Sequence, residues 1–276
     1  MQKYLKKLAI ASALLLSCSP SSTSAAETDS SLSFLRDVAT NSSKLLAPSA
    51  FGIPSAWTMG WRNGFVAGAL ATNPRSYSNG SSSELDGSAA IGFGLGNPLE
   101  NVGLDTYVGI ISVNPKASNG SWYGFGEDGN VSFKLGKTFF TESYDSISFA
   151  VGVNNIIAWN AAKNMNENYY GVATFGSALN VGNHIYPVSV SCGAGTKQDS
   201  NKSAGVFAGL GIGLNPIVDL SAGYNANRWV SGLNFSFSRL ENPIIRHLVL
   251  QVGVDDLFNH NNNRRGVFIA AIPFSL

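Results

Sequence analysis

From about Ala56 to the final Leu276 the chain repeats one unit: roughly ten residues of alternating side-chain character, a turn, then the next run. The run Val218 to Asn225 shows it most clearly. Val218, Leu220, Ala222 and Tyr224 share one face of an extended strand, and Asp219, Ser221, Gly223 and Asn225 share the other. No part of this region has the sustained helical period or the roughly 20 apolar residues of a membrane-crossing helix. A strand repeat with one continuously apolar face can still live in lipid, provided that every backbone N–H and C=O is bonded within the protein. Only closure of the sheet achieves that. The expected fold is therefore all-β: an antiparallel, up-and-down transmembrane β-barrel of about twelve strands (10–14).

The first residues read as an export signal over 1–25. Lys3, Lys6 and Lys7 form a positive start, Leu8 to Leu16 an apolar centre, and Ser24-Ala25-Ala26 a small-residue cleavage zone. A second reading stands beside it, because Leu15-Leu16-Ser17-Cys18 resembles a bacterial lipobox with Cys18 as the lipidated residue. Residues 26–55 form a separate segment ahead of the barrel at 56–276. Leu32, Phe34, Leu35, Val38, Leu45 and Leu46 suit a short amphipathic helix. This segment is either a periplasmic leader or a plug that enters the barrel.

Composition narrows the classes. Charged residues are 13% of the chain, about half the usual share of a soluble protein, and there are 30 glycines. A formal net charge of +1 gives no support to nucleic acid as a partner. Beyond the leader only Cys192 remains, which argues against a disulfide framework or a cysteine-based metal site; it reads as a small apolar strand residue. No cofactor motif is present.

Twelve strand candidates lie near 57–71, 84–96, 102–114, 129–140, 146–158, 168–180, 186–196, 203–214, 217–226, 228–238, 246–257 and 264–276, bounded by Gly, Asn, Pro and Ser clusters. Connections after odd strands are polar and mostly long; those after even strands are mostly short. Ala226–Asn227 and Arg239–Ile245 break this asymmetry. Trp159, Tyr169, Tyr224, Trp229 and Phe258 fall at one set of strand ends, and Phe139, Phe140, Tyr186, Phe237 and Phe274 at the other. Two interfacial girdles produce that distribution.

The final strand is the most specific stretch. Phe268, Ala270, Ile272, Phe274 and Leu276 alternate to the last residue. This resembles the terminal strand of Gram-negative outer-membrane β-barrels, porin-like proteins among them, although that family usually ends in Phe or Trp. The resemblance implies an outer-membrane location, with membrane lipid and the barrel-assembly machinery as partners. It selects no subfamily.

Sorting the faces supports a functional expectation. Val206, Ala208, Leu210, Ile212 and Leu214 form one lipid-facing row, and Leu248, Leu250, Val252 and Val254 another. The lumen side takes Asp86, Lys134, Asp219, Asn225, Gln251 and Asp255 as pore-lining candidates, together with many glycines. Inward glycine either leaves room for water and solute or lets neighbours pack closely. A barrel of twelve strands is wider than one its own side chains fill. A narrow pore for passive diffusion of small solutes is the expectation, with weak cation preference because acids outnumber Lys134. A filled, structural or adhesive barrel is the alternative.

The loop from Pro115 to Gly129 carries Trp122, Tyr123, Glu127 and Asp128, and either folds inward as a constriction or packs on itself outside. Its acids match no calcium-loop spacing. Catalysis has weak support. His260 near Asp255 and Asp256 is the one acid–base candidate for a hydrolase, and no serine has a nucleophile-elbow setting.

Overall fold

The structure is a computed structural model that describes residues 48–72, 85–113, 126–141, 145–199, 203–238, 240–242, 245–260 and 264–276. Twelve strands form the wall: β1 Asn63–Thr72, β2 Leu85–Gly96, β3 Gly103–Val113, β4 Asp128–Phe140, β5 Ser146–Trp159, β6 Asn168–Val181, β7 His184–Asp199, β8 Ser203–Gly213, β9 Val218–Asn225, β10 Arg228–Ser236, β11 Val249–Asp255 and β12 Arg265–Ser275. Each pairs antiparallel with its sequence neighbours, and β12 returns to β1, with Asn63 opposite Ser275 and Ala71 opposite Val267. The sheet has no free edge, so the ladder satisfies its own backbone groups.

The expected alternation sets the two faces. Along β9 the pattern from Val218 to Asn225 is half-buried or exposed, then buried, at every step, with Asp219, Ser221, Gly223 and Asn225 buried. Val206, Leu210, Val252, Phe268 and Ile272 are exposed on the outside. Cys192 is exposed there too, a small outward strand residue. Tyr224, Trp229 and Phe258 stack edge to face at one barrel end, with centroids 5.5 and 6.3 Å apart. At the other end Phe93 and Phe274 are 5.9 Å apart. An apolar exterior between two aromatic rims is that of an outer-membrane barrel. The end holding both Asn63 and Ser275 is called the inner end below, and the opposite one the outer end.

The first strand starts later than expected. Residues 57–62 are not wall: 57–60 continue a buried segment that runs through the lumen from residue 48, and Trp61 and Arg62 are exposed at its end. Pro48 and Ser49 lie near the inner ends of β7, β8 and β10, where the Ser189 hydroxyl donates to the Pro48 carbonyl and Asn234 Nδ2 donates to the Ser49 carbonyl at 3.1 Å. The chain rises to Gly52, whose φ of +67° suits glycine, and Ile53 N–H closes the turn on the Ala50 carbonyl at 3.2 Å. It then crosses to β6 and β4 and returns to Gly60, beside Gly96 and Pro98. Arg62, at φ +70°, turns the chain from lumen into wall. Trp57, Thr58 and Met59 have strand-like composition, yet all three are almost wholly buried. Their apolar bulk is covered by the inside of the barrel rather than by lipid. Of residues 26–55, only 48–55 are described; the expected helix lies outside the described residues.

Candidate functional site: the lumen and its segment

The lumen site grows from the inward parity of the strands. Asp105 on β3 and Lys134 on β4 are register partners, so their side chains meet on the inner face. Lys134 Nζ lies 3.1 Å from Asp105 Oδ2, with both groups almost without solvent contact. Tyr107 donates its hydroxyl to the same Oδ2 at 2.6 Å, and its ring lies 5.8 Å from the ammonium. The pair also grips the segment. Met59 N–H donates to Asp105 Oδ1 at 2.7 Å, and Lys134 Nζ donates to the Trp57 carbonyl at 2.6 Å. A buried ion pair lasts only when its remaining donors and acceptors are also met, and here the segment's backbone meets two of them.

Neutral groups hold the rest. Ala56 N–H donates to Thr174 Oγ1 at 2.8 Å, Phe51 N–H to Ser221 Oγ at 3.0 Å, and Asn225 Nδ2 to the Gly52 carbonyl at 3.1 Å. Hydroxyl and amide side chains at alternate wall positions thus replace the ladder that the segment lacks. Between them, Ala50, Phe51, Ile53 and Ala56 pack with Ala150, Val172, Phe207 and Val230 from the wall.

The inward glycines explain how this fits. A Cβ at Gly232 or Gly253 would meet the Phe51 ring at 2.8 or 2.6 Å, and one at Gly223 would meet Ile53 at 2.6 Å. At Gly136 it would meet Thr58 at 2.9 Å, and at Gly211 it would strike the Pro48 backbone. These positions clear a bed for the segment. Of the two meanings of inward glycine, close packing applies along this path.

The other candidates separate. Asp219 is buried near the inner end, and its Oδ2 has no hydrogen-bond partner among the described residues. Gln251 is buried on the same face, in register with Asn234. Asn225 also accepts from Gln198 Nε2 at 2.7 Å. Asp255 lies at the outer end, where its Oδ2 takes Arg228 at 3.2 Å and Arg265 at 3.0 Å. Lys134 and Asp255 each therefore face opposite charge, which leaves Asp219 as the lumenal acid candidate without an ion-pair partner among the described residues. Asp86 pairs with Ala71 through its backbone; its side chain lies outside the described residues. Of the loop candidates, Trp122 and Tyr123 lie outside the described residues. Glu127 is exposed, with its carbonyl accepting from Asn160, and Asp128 opens β4.

Asp105 and Tyr107 were legible in the sequence but missed. Both share the parity of Gly103 on β3, which is buried against Thr58 and Met59. The hydrolase candidate is differently arranged. Asp256 Oδ1 accepts the His260 backbone N–H at 2.8 Å, while Asp255 is held by arginines. Among the described residues, the side chains of His184, His247 and His260 have no hydroxyl or carboxylate partner.

No protein-family model matches the chain, and no curated protein matches its sequence. Among solved structures it is similar to the KdgM porin, at 10% identity and a TM-score of 0.47, covering 77% of this chain and 99% of that one. It is also similar to the outer membrane protein Omp33 of Acinetobacter baumannii, at 6% identity and a TM-score of 0.43, covering 78% and 98%. A third is outer membrane phospholipase A from Escherichia coli, at 13% identity and a TM-score of 0.42, covering 77% and 92%.

Proposed function

We propose that this outer-membrane barrel is a channel for passive movement of small solutes, with residues 48–60 controlling the open cross-section. One observation carries the reading: the wall behind the segment is polar, with Asp105, Lys134, Thr174, Ser189, Ser221, Asn225 and Asn234 all turned inward. When the segment withdraws, these groups face water, and a twelve-strand wall leaves space that its own side chains do not fill. With Lys134 beside Asp105 and Asp255 between two arginines, selectivity by charge is weak. The inward glycines favour a second reading, a permanently filled structural barrel.

Planar-bilayer conductance separates the two. Deleting residues 48–60 is expected to give a larger, steady conductance than the full chain. Ile53→Cys with Gly209→Cys tethers the segment to the wall in an Ala50→Gly background, since a Cβ at Gly209 lies 3.2 Å from Ile53 Cβ, near the range that a disulfide needs, and 2.5 Å from the Ala50 Cβ that the third change removes. The oxidised tether is expected to silence the channel and reductant to restore it. A full chain that never opens, tethered or reduced, would sink the channel reading.

A further inference from the structure

The outside of the barrel has a sunken region. Two adjoining hollows, of about 540 and 470 Å³, run along the lipid-facing side of β3 to β7. Leu135, Phe149 and Val151 form one wall. Gly171 floors the hollow; a Cβ there would meet nothing within 4 Å. Its register partners are Val151 on one side and Ala194 on the other, so a large side chain gives way to almost none.

The inner-end margin carries Lys137, an outward cation on β4 between Leu135 and Phe139. Its ammonium donates to the Glu100 carbonyl at 3.0 Å and lies 5.3 Å from the Phe139 ring. Both partners are neutral, and among the described residues no carboxylate lies within ion-pair distance. A cation on the lipid face is costly at mid-membrane but not at the interface, where an anionic headgroup can meet it. From Lys137 to Phe133 the groove follows four residues of β4. At about 3.3 Å per residue that is about 13 Å of strand, or about 10 Å along the membrane normal at the roughly 40° tilt of such barrels, against a half-band of about 12 Å. The groove thus spans most of one leaflet, with a cation at its headgroup end.

We infer that this groove binds one phospholipid of the inner-end leaflet, with its phosphate on Lys137 and an acyl chain over Gly171. The site is on the barrel's exterior and is independent of whether the lumen conducts. Full-length protein extracted from vesicles of phosphatidylethanolamine and phosphatidylglycerol should retain one phospholipid in native mass spectrometry. Lys137→Gln should reduce retention at least fivefold, and so should Gly171→Leu, which fills the floor. Both variants should keep the heat-modifiable folded band. In a Cys18→Ser background, bimane at Cys192, which borders the groove, should be quenched by brominated phospholipid more strongly than bimane placed at Leu220→Cys in a background that also carries Cys192→Ser. Retention unchanged in both folded variants, or equal quenching at the two sites, would overturn the assignment. Crosslinking of Cys192 to Cys192 between two barrels would also overturn it, by making the groove a barrel–barrel interface.

Discussion

At the residue scale the decisive unit is Asp105 with Lys134. Each is a charge taken out of water, and each is partnered by the other and by one backbone group of the lumenal segment. Removing one member leaves the other buried and unpaired, a loss of about 3–5 kcal/mol. Asp105→Asn and Lys134→Met should each lower stability by about that amount in urea unfolding from lipid vesicles. The double variant should lose less than the sum, because neither charge is then stranded. Asp255 works differently, since it is partly solvated and shared by two arginines. Asp255→Asn leaves Arg228 and Arg265 uncompensated at the outer mouth. The reversal potential in a salt gradient should therefore shift towards anion preference, by an amount that shrinks as salt rises.

At the element scale, the segment at 48–60 has no ladder of its own, and wall side chains and glycines supply its fit. Gly232 and Gly253 both abut Phe51, whose burial contributes about 1.5–3 kcal/mol. Gly253→Val should push Phe51 out of its seat without breaking the outer face, because that side chain points into the lumen. The expected result is a folded barrel with more frequent open events in single-channel recordings, and faster protease cleavage within 48–60. Ala222→Val, on the outward face of β9, should leave both unchanged.

At the scale of the whole molecule, closure of β1 on β12 makes the wall one cooperative unit. Its last strand presents Phe268, Ile272 and Phe274 outward, and Ala271 and Pro273 inward. Removing Phe274 to Leu276 takes ladder partners from Asn63 and Gly64 at the seam. The truncated chain should give a weaker heat-modifiable band and less folded protein in outer-membrane fractions. The full chain should be recovered only with detergent, because its exterior is apolar from rim to rim.

Alternation by itself determined the wall: which residues face lipid, roughly where each strand runs, and the closed fold that follows. That information is local, since a period of two places every side chain once the strand exists. The same parity held Asp105 and Tyr107, two places on from the inward Gly103 and just before the inward Gly109. What fills the lumen was decided only by tertiary structure. Trp57, Thr58 and Met59 carry the composition of a strand, and nothing in their spacing distinguishes a residue buried by lipid from one buried by a barrel's interior. The glycines were equally ambiguous until Phe51, Ile53 and Pro48 stood against them. Those contacts join residues far apart in the chain, and only the closed sheet brings them within reach.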